Sequence, residues 1–200
     1  MSTSRDEGKV KEPSPALLAR VIDGDRSAQS ALLEEHHDFI RRMLFRLVGP
    51  SSDLDDLQQT VMMRLLQSLH RYRATSAFRT WVGSLCVHVA RDALRRQRTR
   101  GEAVQPEDVG LRDGDDPHAT IAARQQLACC RRALNSLSTE QRMAFVLRVL
   151  DGHSVDEVAA LMNSARSTTR MRLYWGKKAF ARALAAEGVE LPAHLTEDRA

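Results

Sequence analysis

His88, Arg91, Arg95 and Arg98 recur at i, i+3, i+7 and i+10, which lays one imidazole and three guanidiniums along a single helical face. Between positions 91 and 100 there are five arginines against one acid, Asp92. A second cationic stretch, 163–182, holds Arg166, Arg170, Arg172, Lys177, Lys178 and Arg182 and no acid at all. Guanidiniums in such density suit phosphate oxygens, because each offers a planar fork of donors and a permanent charge. Between the two stretches, segment 101–118 carries six acids against Arg112, a net charge of −5. The formal total of +4 thus conceals a plus–minus–plus arrangement. Two separated cationic surfaces point to one polyanion gripped at two places.

Other chemistries find little support in the sequence. Glu34 and His37 form one Glu-x-x-His, but a helical di-metal site needs two such motifs and further carboxylates. His36 and His37 read as a solvent-facing pair. No Gly-rich phosphate loop, nucleophile elbow or zinc spacing occurs, so neither a metal nor a cofactor is expected, and catalysis is not. Cys86, Cys129 and Cys130 are odd in number and lack ligand spacing, which argues against a disulfide framework. No apolar run approaches the roughly 20 residues of a membrane span, and the polar start lacks a signal-peptide core. The expected compartment is a reducing cytoplasm.

The elements that must carry the cations are helices. Aromatics make up only 4% of the chain, while Ala, Leu, Arg and Gln abound, and straight-chain side chains lose little rotamer freedom in a helix. The pattern predicts an all-α protein of two small helical domains joined by a flexible acidic linker. Residues 1–13 form a leader, 14–100 a four-helix first unit, 101–118 the linker, 119–187 the second unit and 188–200 a tail. Expected helices are 15–23, 26–48, one from a Ser51 or Ser52 cap to about 70, and 78–98. The third places Leu54, Leu57, Val61, Leu65 and Leu69 on one stripe and offers Asp56, Gln59, Met63 and Gln67 to water or a partner. Phe78 and Trp81 are expected in the core. In the second unit, Ser138-x-x-Gln141 and Ser154-x-x-Glu157 are capping boxes. They start helices running to Leu150 and to about Met162. A turn at 163–166 and a last helix over 167–186, with Leu173, Gly176, Phe180 and Leu184 inward, complete a helix-turn-helix.

The series Asp53-Leu-Asp-Asp-Leu-Gln-Gln-Thr, Arg71-Tyr-Arg, Phe78-Arg-Thr-Trp-Val and Ala90-Arg-Asp-Ala-Leu-Arg-Arg resembles region 2 of bacterial extracytoplasmic-function (ECF) sigma factors. Ala133-Leu-Asn-Ser-Leu, Ser154-Val-Asp-Glu-Val-Ala and Ser167-Thr-Thr-Arg-Met-Arg-Leu resemble their region 4. The resemblance implies a promoter-specificity subunit of RNA polymerase, without catalytic chemistry of its own. It implies docking on the clamp of the largest polymerase subunit through Asp56, Leu57, Gln59 and Met63. Capture of an extruded base and −10 recognition fall on Tyr72, Arg73, Thr75, Ser76, His88, Arg91, Asp92, Arg95 and Arg96. Recognition of the −35 element falls on Arg166, Ser167, Thr168, Arg170, Met171, Arg172 and Lys177. Implied partners are core RNA polymerase (including the subunit that contacts region 4), promoter DNA and an anti-sigma factor, with no membrane insertion. A stand-alone helix-turn-helix regulator, acting without polymerase, is the alternative.

Overall fold

The computed structural model describes residues 12–51, 53–100 and 121–189, and every regular element among them is helical. The acidic segment 101–118 lies outside the described residues, as do most of the leader and of the tail.

Helix α1 (Pro15–Ile22) opens on Ser14, whose hydroxyl accepts from the Leu17 amide at 3.2 Å, with proline at the first helical position. Helix α2 (Arg26–Val48) has the predicted bounds because Asp25 caps the amides of Ser27 and Ala28 at 2.9 and 3.1 Å. The Arg20 guanidinium, 2.6 Å from the Asp25 carboxylate, holds that carboxyl below its usual range. Helix α3 (Leu54–Ser68) passes through a 3-10 turn, Leu69–Arg71, before α4 (Phe78–Thr99). Beyond the acidic segment come α5 (Ile121–Ser136), α6 (Thr139–Phe145), α7 (Val155–Leu161) and α8 (Arg166–Ala186). The sequence predicts one helix from the Ser138 cap to Leu150, but α6 widens into a π-helical turn over Val146–Leu150.

Helix α2 packs on both α3 and α4, while α8 packs on α5 and α6. The two expected units do not stand apart, because α4 also packs on α6 and α7. Met143, Leu147, Val158, Leu161, Met162 and Leu173 join the same buried cluster as Phe39, Ile40, Val61, Phe78 and Val82. A smaller cluster of Ala133, Leu137, Phe145, Phe180 and Leu184 remains between α5, α6 and α8. Gly83 explains how α4 and α7 come so close: a Cβ there would lie 2.8 Å from Leu161 Cδ2. Gly176 plays a similar part on α8, where a Cβ would sit 3.3 Å from the Gln141 carbonyl.

Polar groups reinforce the junction. Arg142 of α6 donates to the carbonyls of Leu47 at 3.1 Å and Val48 at 2.8 Å, and to Asn135 Oδ1 at 2.6 Å. Those carbonyls end α2 and have no intrahelical donor of their own. The Arg46 guanidinium of α2 reaches Asp151 at 2.7 Å.

The solvent-facing histidine pair is overturned in one member. His36 is not on the surface but fully buried, its ring 5.1 Å from that of Phe78 and its Nδ1–H donating to the Leu32 carbonyl at 2.9 Å. It lies four residues from both Leu32 and Ile40, hence on the apolar face of α2. Its neighbour His37 is exposed and sits 3.0 Å from Asp38.

Candidate nucleic-acid interface

Helix α3 turns Leu54, Leu57, Val61 and Leu65 inward, so its outer face is left to Asp56, Gln59 and Met63. Met63 is 54% exposed, a large apolar side chain set among polar groups as at a docking surface. Leu57 is buried on the inward stripe, with its edge lining the cleft between α3 and α4. Gln58, which sequence reasoning passed over, anchors α3 by donating to the His37 carbonyl at 3.0 Å.

The 72–77 loop is built on rings. Tyr72, Phe78 and Trp81 lie with centroids 5.1–5.4 Å apart, and the Tyr72 hydroxyl donates to the Ser76 carbonyl at 2.8 Å. That bond closes the loop on itself, and Ala74 takes a positive φ of 52°. Arg73, Thr75 and Ser76 are all exposed around it. Phe78 is fully buried, as expected, whereas Trp81 is half-buried at the edge of the core. Helix α4 starts here without a side-chain cap from its own N-terminal residue Ala77. Glu12 supplies the cap instead: both its carboxylate oxygens accept from the Phe78 amide at 3.0 Å. A carboxylate at a helix N-terminus is favoured by the exposed amides and the dipole.

At the other end of α4 the predicted face exists, but it is turned toward the second unit. Arg91 donates to the Met162 carbonyl at 3.2 Å and lies 3.3 Å from Glu140. Arg95 reaches Glu140 at 2.8 Å, and Arg98 donates to the Leu137 and Asn135 carbonyls. Asp92 pairs with Arg64 of α3 at 3.5 Å, and His88 Nδ1–H donates to the Ser84 carbonyl at 2.6 Å. Arg96 remains exposed. It shares with Asp56, Asp53, Thr60 and Arg100 a cleft of about 320 Å³ between α3 and α4.

The helix-turn-helix is formed by α7 and α8. The Ser154 hydroxyl accepts from the Glu157 amide at 3.2 Å, and Glu157 accepts from the Ser154 amide at 2.7 Å. These bonds hold the Glu157 carboxyl below its ordinary range. A depressed carboxyl contributes stability at neutral pH that is lost as pH falls through the lowered value. Glu157→Gln, which mimics the protonated carboxyl, is therefore expected to cost about 0.3–1 kcal/mol at neutral pH and little at acid pH. Urea titrations at the two pH values will check it, and an equal effect at both would count against the box. Asn163 supplies the turn with a φ of 47°, a left-handed conformation that asparagine tolerates, so the glycine common in such turns is not needed. Buried Thr169 then ties the turn to α8 through Ser164 Oγ at 2.8 Å.

Arg166, Ser167, Thr168, Arg170 and Met171 line the outer start of α8, all exposed. Arg166 pairs with Asp156 at 3.1 Å. Arg172 is half-buried, 3.5 Å from Glu140, and Lys177 is half-buried further along. Sequence reasoning missed Tyr174 and Trp175, exposed beside Met171, with Lys178 Nζ 4.5 Å from the Tyr174 ring centroid. Their spacing from Met171 was the available signal. Among the described residues no cluster of His, Cys, Asp or Glu is arranged to hold a metal ion, and Glu34 and His37 gather no further ligands.

Two family profiles match the chain. The one described as Sigma-70 region 2 matches residues 32–100, and the one described as Sigma-70, region 4 matches 127–180. The ECF RNA polymerase sigma-E factor of Escherichia coli (strain K12) is 29% identical over 172 residues, covering 82% of this chain and 90% of that protein. The factor of the same name from Haemophilus influenzae is 28% identical over 168 residues, with 80% and 88% covered. Among solved structures, CnrH in complex with the cytosolic domain of CnrY superposes with a TM-score of 0.58 at 22% identity, covering 86% of this chain and 97% of that one. The sigma factor RpoE of Bartonella quintana, solved with the anti-sigma factor NepR, gives 0.54 at 22% identity, covering 79% and 97%. Most of α2, with α3 and α4, falls in the region 2 match, and α6 and α7, with most of α5 and of α8, in the region 4 match, in the order the motifs require; the chain belongs to the sigma-70 family, within its ECF group.

Proposed function

We propose that this chain is a promoter-specificity subunit: it binds core RNA polymerase, recognises −35 and −10 elements and promotes DNA melting. The observation that carries this is the pairing, in one chain, of an exposed Asp56–Gln59–Met63 face beside a cationic helix with a cation-rich helix-turn-helix. Melting costs on the order of 1–2 kcal/mol per base-pair step. A pocket for an extruded base and cations along the open strand offset that cost. The 72–77 loop, with aromatic rings at its base, and Arg96 supply such groups. At the other end, the start of α8 presents Arg166, Thr168 and Arg170 in the manner of a major-groove helix. In this reading the protein works by binding and not by catalysis. Its control by an anti-sigma partner is in keeping with the Bartonella quintana sigma factor solved with one. No described helix is long and apolar enough to cross a membrane.

The test is run-off transcription with purified core polymerase on the DNA upstream of the chain's own gene. A specific transcript that requires this protein is expected. Joint replacement of Asp56 and Gln59 by alanine is expected to reduce co-purification of core polymerase at least ten-fold, the equivalent of about 1.4 kcal/mol, with helicity unchanged. Tight duplex binding without any transcript would instead favour a stand-alone regulator.

A further inference from the structure

One carboxylate joins the cations of both DNA-facing helices. Glu140 Oε1 lies 2.8 Å from Arg95 and 3.3 Å from Arg91, both on α4, and Oε2 lies 3.5 Å from Arg172 on α8. Three guanidiniums around a single acid leave a surplus of positive charge, and the acid is only 23% exposed. The neighbouring ties run the same way. Arg91 and Arg98 of α4 donate to carbonyls at 162, 137 and 135, and Arg142, two residues beyond Glu140, donates to the end of α2. Each of these bonds links the first unit to the second.

The promoter geometry cannot be met in this arrangement. Elements named −35 and −10 are about 25 base pairs apart, roughly 85 Å at about 3.4 Å per pair. Here Arg95 and Arg172 share one carboxylate. We propose that Glu140 is an internal stand-in for a DNA phosphate, a clasp that holds the free protein closed with its −10-facing and −35-facing arginines on each other's unit. This inference rests on the DNA-facing assignment made above. A backbone phosphate competes with the carboxylate for the same forks of donors. Binding to DNA therefore requires the clasp to open, and whatever opens it also uncovers apolar side chains such as Leu161, Met162 and Val82. A ligand shifts such an equilibrium only by its preference for the open state. An extended polyanion that spans both units has that preference.

The test uses the full chain with Glu140→Gln, which keeps the side chain's size and removes its charge. Glu35→Gln, an exposed acid on α2, controls for net charge. Two quantities are read: the radius of gyration by small-angle scattering, and affinity for a fluorescent random-sequence duplex at fixed salt. Glu140→Gln is expected to raise the radius of gyration and to tighten duplex binding about five-fold beyond the control, the factor that one or two partly exposed ion pairs represent. Combination with Arg142→Ala is expected to enlarge the first change. A radius unchanged in both variants, with helicity intact, overturns the clasp. A larger radius with affinity no better than the control's supports the clasp and overturns the DNA-facing assignment instead.

Discussion

Arg142→Ala is expected to destabilise the folded chain by about 2–4 kcal/mol, the cost of leaving buried carbonyl acceptors without donors. The side chain is 7% exposed and spends its donors on the Leu47 and Val48 carbonyls and Asn135 Oδ1. Its partners are neutral groups. The charge is offset by the negative end of the α2 dipole, which is strongest at these last carbonyls. Burial, with a smaller contribution from Arg98, lowers the Arg142 pKa to about 10, so it still carries its proton at neutral pH. Lysine cannot replace it, because one ammonium does not reproduce a planar fork reaching three acceptors. A chain of this size should lose about 2–4 °C per kcal/mol, so a fall of roughly 5–15 °C in Tm is expected by circular dichroism. A melt within a degree or two of the parent, or full rescue by Arg142→Lys, would sink this account of the junction.

Phe78→Ala is expected to cost about 3–5 kcal/mol, the usual range for a buried aromatic truncated in a core. The ring is completely buried, with His36, Tyr72 and Trp81 centroids 5.1–5.4 Å away. Its loss opens a void under the 72–77 loop and removes the packing that orients Tyr72. Phe78→Leu, which fills most of the space, should cost less than about 1.5 kcal/mol. Urea midpoints of the two variants will separate these values. If alanine and leucine prove equally mild, the aromatic floor is not what holds the loop. The same experiment can follow promoter opening by run-off transcription, where alanine should be the more defective of the pair.

The helices were legible because their ends are written locally. Asp25, Ser138 and Ser154 each cap a helix the sequence already implied, and the inward stripe Leu173, Gly176, Phe180, Leu184 follows from helical period alone. The burial of His36 follows from its place between Leu32 and Ile40 on the apolar face of α2, a signal stronger than its adjacency to His37. The inward place of Leu57 follows from the stripe on its own helix. The junction of the two units was not legible. It depends on which faces meet after the chain has crossed the acidic segment, and no local rule states that Arg91 and Arg95 will find Glu140. Two residues did hint at it: an arginine in the apolar run around Met143, and a glycine in the middle of α4, where alanine would be preferred by about 0.5–1 kcal/mol.

That glycine makes the junction of the two units depend on shape as well as on charge. The gap between α4 and α7 at Gly83 is narrower than one extra carbon comfortably allows. Alanine could be absorbed by the tip of Leu161 swinging aside, whereas a branched residue acts as a wedge. Propping the two halves open by shape alone would leave every arginine and acid in place, so the contributions of fit and of charge to shutting the molecule can be weighed independently.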